Sequence, residues 1–530
     1  MLEKYLIRKN HYSDSIALMR VAADLEALPG IFQATAIMAT AANLNLARTV
    51  GLIDDTIEPQ PNNLLIAVSA ENEKAADAAF AQAEAQMDNL GSIADGSENC
   101  EPEVKSIEMA VSRDPDLNLA LISCPGEYAA AEAKKALNLG LHVMLFSDNV
   151  SIQAELELKK ISLAKNLLMM GPDCGTAIIN GLPLGFANIV ARGSVGIVSA
   201  SGTGLQQISS LLTQWGVGIS QAIGTGGRDL SDEIGGISMA QGVEILIEDE
   251  QTEVIVLISK PPSKKVAEKI ITSARAGGKP VIVCFLGSEN NDNDNIIQFA
   301  TTLDAAAEFT YSKLNDGNLP NRMVFEDDIT TQLFDQKESQ KYIRGIYSGG
   351  TFCYETQSIL RDLLGPVWSS TPIDKAYHLK DSWSSQEHTI IDLGDDEFTQ
   401  GRAHPMIDHR TRHERILQEA SDPETAVILF DVVIGCGSHA NPAAEMVNTI
   451  KEARKISTKE QRQIYFIGFV CGTDMDPQNL TTQIKILKSA SVIVAESNAE
   501  ATRRATSVIL TNSTGKNSIA GSSNNAKIAK

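Results

Sequence analysis

The chain lacks several features that would each point to a function. Its seven cysteines, at positions 100, 124, 174, 284, 353, 436 and 471, are odd in number and form no CxxC pair. Such scatter builds neither a disulfide framework nor a thiolate metal cluster, and it suits a reducing cytoplasm. Positive charge is short: 45 Lys and Arg against 67 Asp and Glu leave a formal net charge of −22. Nucleic acid and anionic membrane are therefore not expected partners. No apolar run approaches the ~18 residues of a membrane span. The opening MLEKYLIRKNHYSDS has no apolar segment of the kind that marks a signal peptide. There is no GxGxxG fingerprint, and no histidine between His142 and His378. These absences leave a cytoplasmic globular protein, and 43% hydrophobic residues are enough to bury its cores.

What the chain does have is loops of small residues between apolar strands and amphipathic helices. Gly193 to Leu212 reads GSVGIVSASGTGLQQISSLL. Val195 to Val198 predicts a buried strand, and Leu205, Ile208, Leu211 and Leu212 fall at helical spacing. Between them lie Ser199, Ser201, Gly202, Thr203 and Gly204. A helix start of this kind offers unpaired N–H groups and about half a positive charge to an anion. An ordinary capped turn has the same composition. The pattern recurs in Gly345 to Leu360, GIYSGGTFCYETQSIL, which lays Gly350 on Gly202 and Thr351 on Thr203. Gly349, Gly350 and Thr351 thus form a second candidate anion site. The repeat predicts two related α/β domains in one chain.

Residues 1–95 read as a small α+β unit, closed by a polar linker from Gly91 to Glu103. Residues 104–190 alternate short strands and helices, which predicts a parallel sheet. Ligands of such sheets bind at the strand C-termini. The loops there hold Ser123 and Pro125, then Phe146, Ser147, Asp148 and Asn149, then Pro172, Asp173 and Cys174. These are the candidate cofactor contacts, with tight turns as the plain alternative. A polar linker is expected at 312–341 and a disordered Ser/Asn/Gly/Lys-rich tail at 511–530.

The series SCPGEYAAAEA, LFSDN, GPDCGTAIING, GSVGIVSASGTG and GTGGRDL resembles the α subunit of succinyl-CoA synthetase. SGGTFCYETQ, IDLGDDEFTQGRAHPMID and AVILFDVVIGCGSHANPA resemble the C-terminal domain of the β subunit of the same enzymes. Fused in this order behind an α+β domain, the chain resembles the FdrA family of acyl-CoA-synthetase-like proteins. The resemblance implies an α/β protein with a small α+β domain at 1–95 and a Rossmann-like CoA-binding-type domain at 104–190. Two flavodoxin-like ligase domains follow, at 191–311 and 342–510. In the synthetases two helix N-termini converge on one phosphate. Here they would start near Ser201–Thr203 and near Gly437-Ser438-His439, or else at Gly349–Thr351.

The family pattern also breaks. The phosphohistidine of the synthetases belongs after Gly287, where this sequence reads SENNDNDNIIQFA, and their acidic partner motif is replaced by SKPPSKK from Ser259 to Lys265. The nucleotide-grasping domain and the glycine-rich CoA loop are not found either, so CoA is expected to bind weakly at most. Asp395, Asp396 and Glu397 read as a solvated acidic loop, and no metal is expected.

An acyl phosphate, by contrast, needs electrostatic stabilisation of an oxyanion and of a leaving phosphate, which helix N-termini supply. The resemblance implies carbamoyl transfer from an acyl or carbamoyl phosphate to a small carboxylate such as oxamate, in allantoin breakdown. Partner enzyme subunits and a homo-oligomer are implied with it. Arg228 and Arg402 are candidates to grip the carboxylate, and His404 and His439 to act as general acid or base. The two arginines read equally well as ion pairs with Asp229 and Asp408. Cys174 and Cys436 have no assignable base and are not expected to be nucleophiles. Two rivals stand beside this reading: an acid–CoA ligase that needs a partner subunit, and a non-catalytic ligand-binding scaffold.

Overall fold

The computed structural model describes residues 2–514 apart from 14, 50, 55, 58, 93–103, 289–291, 323–335 and 400–401. The N-terminal unit comprises β1 (Leu2–Arg8), α1 (Ser15–Glu26), β2 (Ile31–Met38), α2 (Ala41–Thr49), β3 (Leu64–Ala70) and α3 (Glu73–Ser92). Its antiparallel sheet has the order β1-β3-β2. The central strand β3, LLIAVSA, is buried throughout. Leu64, Ile66 and Val68 pack with α1 and α3, while Leu65 and Ala67 pack with α2, as the two-residue period of a strand requires.

Next come α4 (Ile107–Arg113), β4 (Leu119–Ile122), α5 (Gly126–Asn138), β5 (His142–Leu145), α6 (Ile152–Ala164) and β6 (Met169–Met170). The three strands form a parallel sheet in the order β4-β5-β6. The hairpin β7 (Thr176–Ile179) and β8 (Leu182–Gly185) was expected to belong with this unit. Instead β7 pairs antiparallel with a strand of the next sheet. Asn180 and Gly181, at φ 52° and 79°, make the tight turn that Asn-Gly favours between two strands.

That next sheet is built from β9 (Arg192–Ser199), α7 (Gly202–Gln214), β10 (Ile219–Gly224), α8 (Ile237–Glu248), β11 (Val254–Ser259), α9 (Lys264–Ala276), β12 (Val281–Phe285), β13 (Ile297–Phe299) and α10 (Leu303–Leu314). Its order is β13-β12-β11-β9-β10-β7-β8. The last sheet uses β14 (Tyr342–Tyr347), α11 (Gly350–Leu364), β15 (Trp368–Ser369), β16 (Thr389–Asp392), α12 (Asp396–Thr399), α13 (Arg410–Ser421), β17 (Thr425–Val433), α14 (Pro442–Lys459), β18 (Tyr465–Cys471), α15 (Leu480–Ser489), β19 (Ile493–Ala495) and α16 (Asn498–Thr514). Its order is β15-β16-β14-β17-β18-β19.

Counted from β9, and from β14 with the two-residue edge strand β15 set aside, both sheets run 2-1-3-4-5, the flavodoxin-like order. In both, the first strand feeds the helix that opens at the repeated glycine, Gly202 or Gly350. One apolar cluster, including Leu205, Ile208, Leu303, Phe352, Leu360, Phe469 and Val508, runs from sheet to sheet through α7, α10, α11 and α16. Two sequence boundaries move. α10 reaches Leu314, into the expected linker, and α16 reaches Thr514, into the expected tail. The remainder of the tail, 515–530, and residues 93–103 of the first linker lie outside the described residues.

Candidate functional site

In a 2-1-3-4-5 sheet the strand order reverses between strands one and three, and their C-terminal ends open a crevice. For the first ligase sheet those ends are Ser199–Gly202 after β9 and Lys260 after β11. For the second they are Ser348–Gly350 after β14 and the Asp431 end of β17. The fold turns the two crevices toward each other. Ser201, the N-cap of α7, accepts a hydrogen bond from Gly204 N at 2.9 Å, and its hydroxyl lies 2.5 Å from that of Thr351 in α11. A Cβ placed on Gly349 would come within 2.9 Å of Thr203 Cγ2. The repeated Ser/Gly-Thr helix starts therefore meet head to head. The first N–H groups of each helix have no intrahelical acceptor, and Gly202 is the exposed residue of an otherwise buried loop.

The remaining members of the loop are structural. Ser199 Oγ accepts from Ser201 N at 3.0 Å and donates to Ser201 O at 2.7 Å, bracing the turn. A Cβ on Gly204 would meet Ser201 Oγ at 2.7 Å and Ile258 Cγ2 at 2.9 Å, so packing alone demands glycine there. Gly349 N donates to Asp431 Oδ2 at 2.9 Å.

Residues that sequence reasoning missed complete the site. A Cβ on Gly350 would overlap a carboxylate oxygen of Asp392 and lie 3.0 Å from Lys260 Nζ. Thr176 Oγ1 stands 3.1 Å from the Cβ position of Gly202. Burial raises Asp392 to about 6, against the pull of the Lys260 charge. Lys260 opens the SKPPSKK segment, which from sequence reads only as a lost motif. Its place directly after an apolar strand beside the Ser/Gly-Thr loop was the available signal.

His404 is brought close. Its Nε2 is 2.9 Å from the Cβ position of Gly394, whose N–H donates to Asp392 Oδ1 at 3.0 Å. Burial lowers His404 to about 4, so the imidazole is neutral at pH 7. His439 is placed differently: its ring meets His409 edge-on at 5.2 Å, its Nδ1 accepts from Asn441 N at 3.1 Å and its backbone N–H donates to Met406 O at 2.9 Å. Gly437 and Ser438 are not a helix start, because α14 begins at Pro442, where a proline at N1 needs no N–H partner. Gly437 packs on Phe186, and the Ser438 hydroxyl is buried with no hydrogen-bond partner among the described residues. Arg228 pairs with Glu155 Oε2 at 2.9 Å and donates to Val150 O at 2.8 Å. Asp229 instead holds the buried Lys159 at 2.7 Å. Arg402 is exposed and donates to Thr411 Oγ1 at 3.3 Å, while Asp408 pairs with Arg410. Both arginines thus differ from their expected ion pairs.

The three loops of the 104–190 unit do come together. Ser147 Oγ donates to Cys124 O at 2.5 Å, and Asp173 N donates to Ser147 O at 3.0 Å. Phe146 packs on Phe186 with ring centroids 5.7 Å apart. Ser123 and Pro125 lead into α5 and Pro172 follows a cis peptide. The exposed Asn149 and the carbonyl of Asp148 close over Gly126 at the start of α5, and the carboxylates of Asp148 and Asp173 share this edge. Cys174 is buried, its thiol pushed up to about 12. Between pH 7 and 9 it is expected to stay a thiol and escape iodoacetamide. Mass spectrometry finding carboxamidomethyl Cys174 in the native protein would contradict this.

Two facing flavodoxin-like sheets, with helix starts meeting at their shared crevice, define a protein of the acid–CoA-ligase class. The comparisons agree. The family described as CoA-ligase matches residues 346–508, and the CoA binding domain matches 191–287. The CoA-binding description thus falls on the first ligase sheet rather than on 104–190. Residues 1–102 match the description "AllF, heavy metal-associated domain". Soft metals take thiolate and imidazole donors, and His11 and Cys100 are the sole such side chains in that stretch. Among the described residues no group of three His, Cys, Asp or Glu is arranged to hold an ion. The residues do not fit a heavy-metal centre.

The uncharacterized protein YahF of Escherichia coli (strain K12) is 43% identical over 505 residues, covering 94% of this chain and 96% of that one. The ADP-forming succinate–CoA ligase subunit alpha of Aquifex aeolicus is 28% identical over 195 residues, 35% of this chain and 61% of that one. Among solved structures, the apo dinucleotide-forming acetyl-coenzyme A synthetase 1 of Ca. Korarchaeum cryptofilum aligns at 15% identity and a TM-score of 0.31, over 78% of this chain and 87% of that one. The chain belongs to the FdrA-like family that includes YahF, fusions of acid–CoA-ligase-type domains behind a small N-terminal domain. No helix among the described residues is long and apolar enough to cross a membrane.

Proposed function

We propose that the protein is a subunit of an enzyme that transfers an acyl or carbamoyl group between phosphate and a small carboxylate-bearing acceptor, in the manner of an oxamate carbamoyltransferase of allantoin catabolism. The observation that carries this is the head-to-head meeting of Ser201 and Thr351, in a chain whose segment directly after Gly287, SENNDNDNIIQFA, holds no histidine to take up a phosphoryl group. The acceptor nitrogen attacks the carbonyl of the acyl phosphate, and phosphate leaves into the N–H groups of Gly202, Thr203, Gly350 and Thr351. His404 Nδ1 accepts from Met406 N at 3.2 Å, so the neutral ring carries its hydrogen on Nε2 and serves as a donor rather than a base; the proton released by the acceptor leaves on the phosphate. Partner subunits complete the enzyme.

The descriptions CoA-ligase and CoA binding domain favour a second reading, an acid–CoA ligase whose partner supplies nucleotide and phosphohistidine. Thermal unfolding and labelling separate the two. Phosphate or carbamoyl phosphate at ~100 Kd is expected to add ~2.7 kcal/mol, and CoA little. Incubation with labelled ATP or carbamoyl phosphate is expected to leave no acid-labile phosphohistidine. Strong stabilisation by CoA would favour the ligase, and label trapped on His404 or His439 would overturn the transfer reading.

A further inference from the structure

We propose that the Thr176 hydroxyl, carried to the start of α7 by the hairpin β7–β8, is a further donor at the junction of the two helix starts and fits it to a tetrahedral phosphoryl group. β7 lies against β10, with Ile178 opposite Ala222. Side chains alternate along a strand. Ala177 enters the core on one face of the sheet, and Ile178 enters the core on the other, with Leu205 and Ile208 of α7. Thr176 shares the face of Ile178 one step nearer the loop, and so reaches the first turn of α7. Its Oγ1 lies 3.1 Å from the Cβ position of Gly202. Apart from the adjoining residues of α7, Thr176 alone among the described residues comes within 4 Å of that position.

Thr176 is 3% exposed, yet its hydroxyl makes no hydrogen bond with any described residue. Only its backbone carbonyl is engaged, accepting from the Cys174 thiol at 3.7 Å. Buried donors ordinarily find a partner. Valine would fill the same β-branched volume without a donor to satisfy, so packing does not explain the hydroxyl. The group it faces is the uncovered first turn of α7, whose N–H groups point out along the helix axis. The hydroxyl approaches from the flank, and the start of α11 closes a third side, with the Thr351 hydroxyl 2.5 Å from that of Ser201. Donors that are not coplanar suit the three terminal oxygens of a phosphoryl group better than the two oxygens of a planar carboxylate. In group transfer Thr176 would hold the departing phosphate. That role rests on the reading proposed above; binding of the anion does not.

Calorimetric titration of the full chain with inorganic phosphate, carbamoyl phosphate and acetate tests the assignment. Thr176→Val is expected to weaken both phosphates tenfold or more, the loss of one hydrogen bond to a charged group. Thr176→Ser keeps the hydroxyl and is expected to retain most of the affinity. Both variants suit a strand, and thermal unfolding checks that they fold. Equal phosphate binding in Thr176→Val and the parent overturns the inference and leaves the transfer reading standing. An equal loss in the serine and valine variants also overturns it, because the effect then belongs to packing. Weakening of carbamoyl phosphate alone removes the phosphoryl contact, and an equal weakening of acetate removes the fit to a tetrahedral anion. A parent chain that binds neither phosphate overturns both this inference and the reading above. Hydroxyl-dependent phosphate binding in a protein that transfers nothing with partner subunits present supports the inference and removes the transfer reading.

Discussion

Gly202→Val is expected to lower group transfer by about 100-fold, the usual loss of one oxyanion-type donor, while the protein stays folded. Gly202 is exposed at the first position of α7, and the nearest atom to an added Cβ is the Thr176 hydroxyl at 3.1 Å. That contact is close but yields by rotation of one side chain. The valine methyls then cover the N–H groups of Gly202 and Thr203, on the face where phosphate would approach. Gly204→Ala is the contrast, because its Cβ meets Ile258 and Ser201 inside the fold, and it should cost stability. An assay with partner subunits present, with circular dichroism as the fold control, decides. Full activity in folded Gly202→Val would remove the phosphate site from α7.

The second large effect is on stability. Asp431, fully buried, accepts from Ser348 N at 3.0 Å, Ser348 Oγ at 2.9 Å and Gly349 N at 2.9 Å, and it pairs with buried Arg412. One carboxylate thus holds the loop that opens α11 and neutralises a guanidinium with no route to water. Asp431→Ala leaves that charge uncompensated, a loss of about 3–5 kcal/mol for a broken buried pair. Arg412→Met added to Asp431→Ala should restore part of it, since the orphaned charge goes with the arginine. Denaturant midpoints of the two variants measure the difference. Asp431→Ala as stable as the parent would mean that water reaches Arg412.

Local structure was legible where it depends on neighbours within a turn. The Ser/Gly-Thr pattern placed α7 and α11 at Gly202 and Gly350, and both helices start there. Alternating apolar strands placed the ligase sheets, and the repeat foretold their common order. Misses inside this range came from signals given too little weight. Asn180-Gly181 is a hairpin turn, and Pro442 marks the start of α14 more strongly than Ser438-His439 does.

What the sequence could not determine were meetings between distant residues. Ser201 and Thr351 are 150 positions apart, and Glu155, which pairs with Arg228, lies on a different unit of the chain. An apolar helix face shows that a helix is buried without showing what covers it. Only the core shared through α7 and α11 aims the two helix starts at one another. Lys260 is the plainest case. Within SKPPSKK it is one solvated lysine among three, and only the approach of the second sheet puts Gly350 and Asp392 beside its ammonium group. The sequence by itself determined the elements and the repeat, because those follow from contacts within a few residues. The tertiary structure decided the site, because charge and hydrogen bonding act through space wherever the packed core brings the groups together.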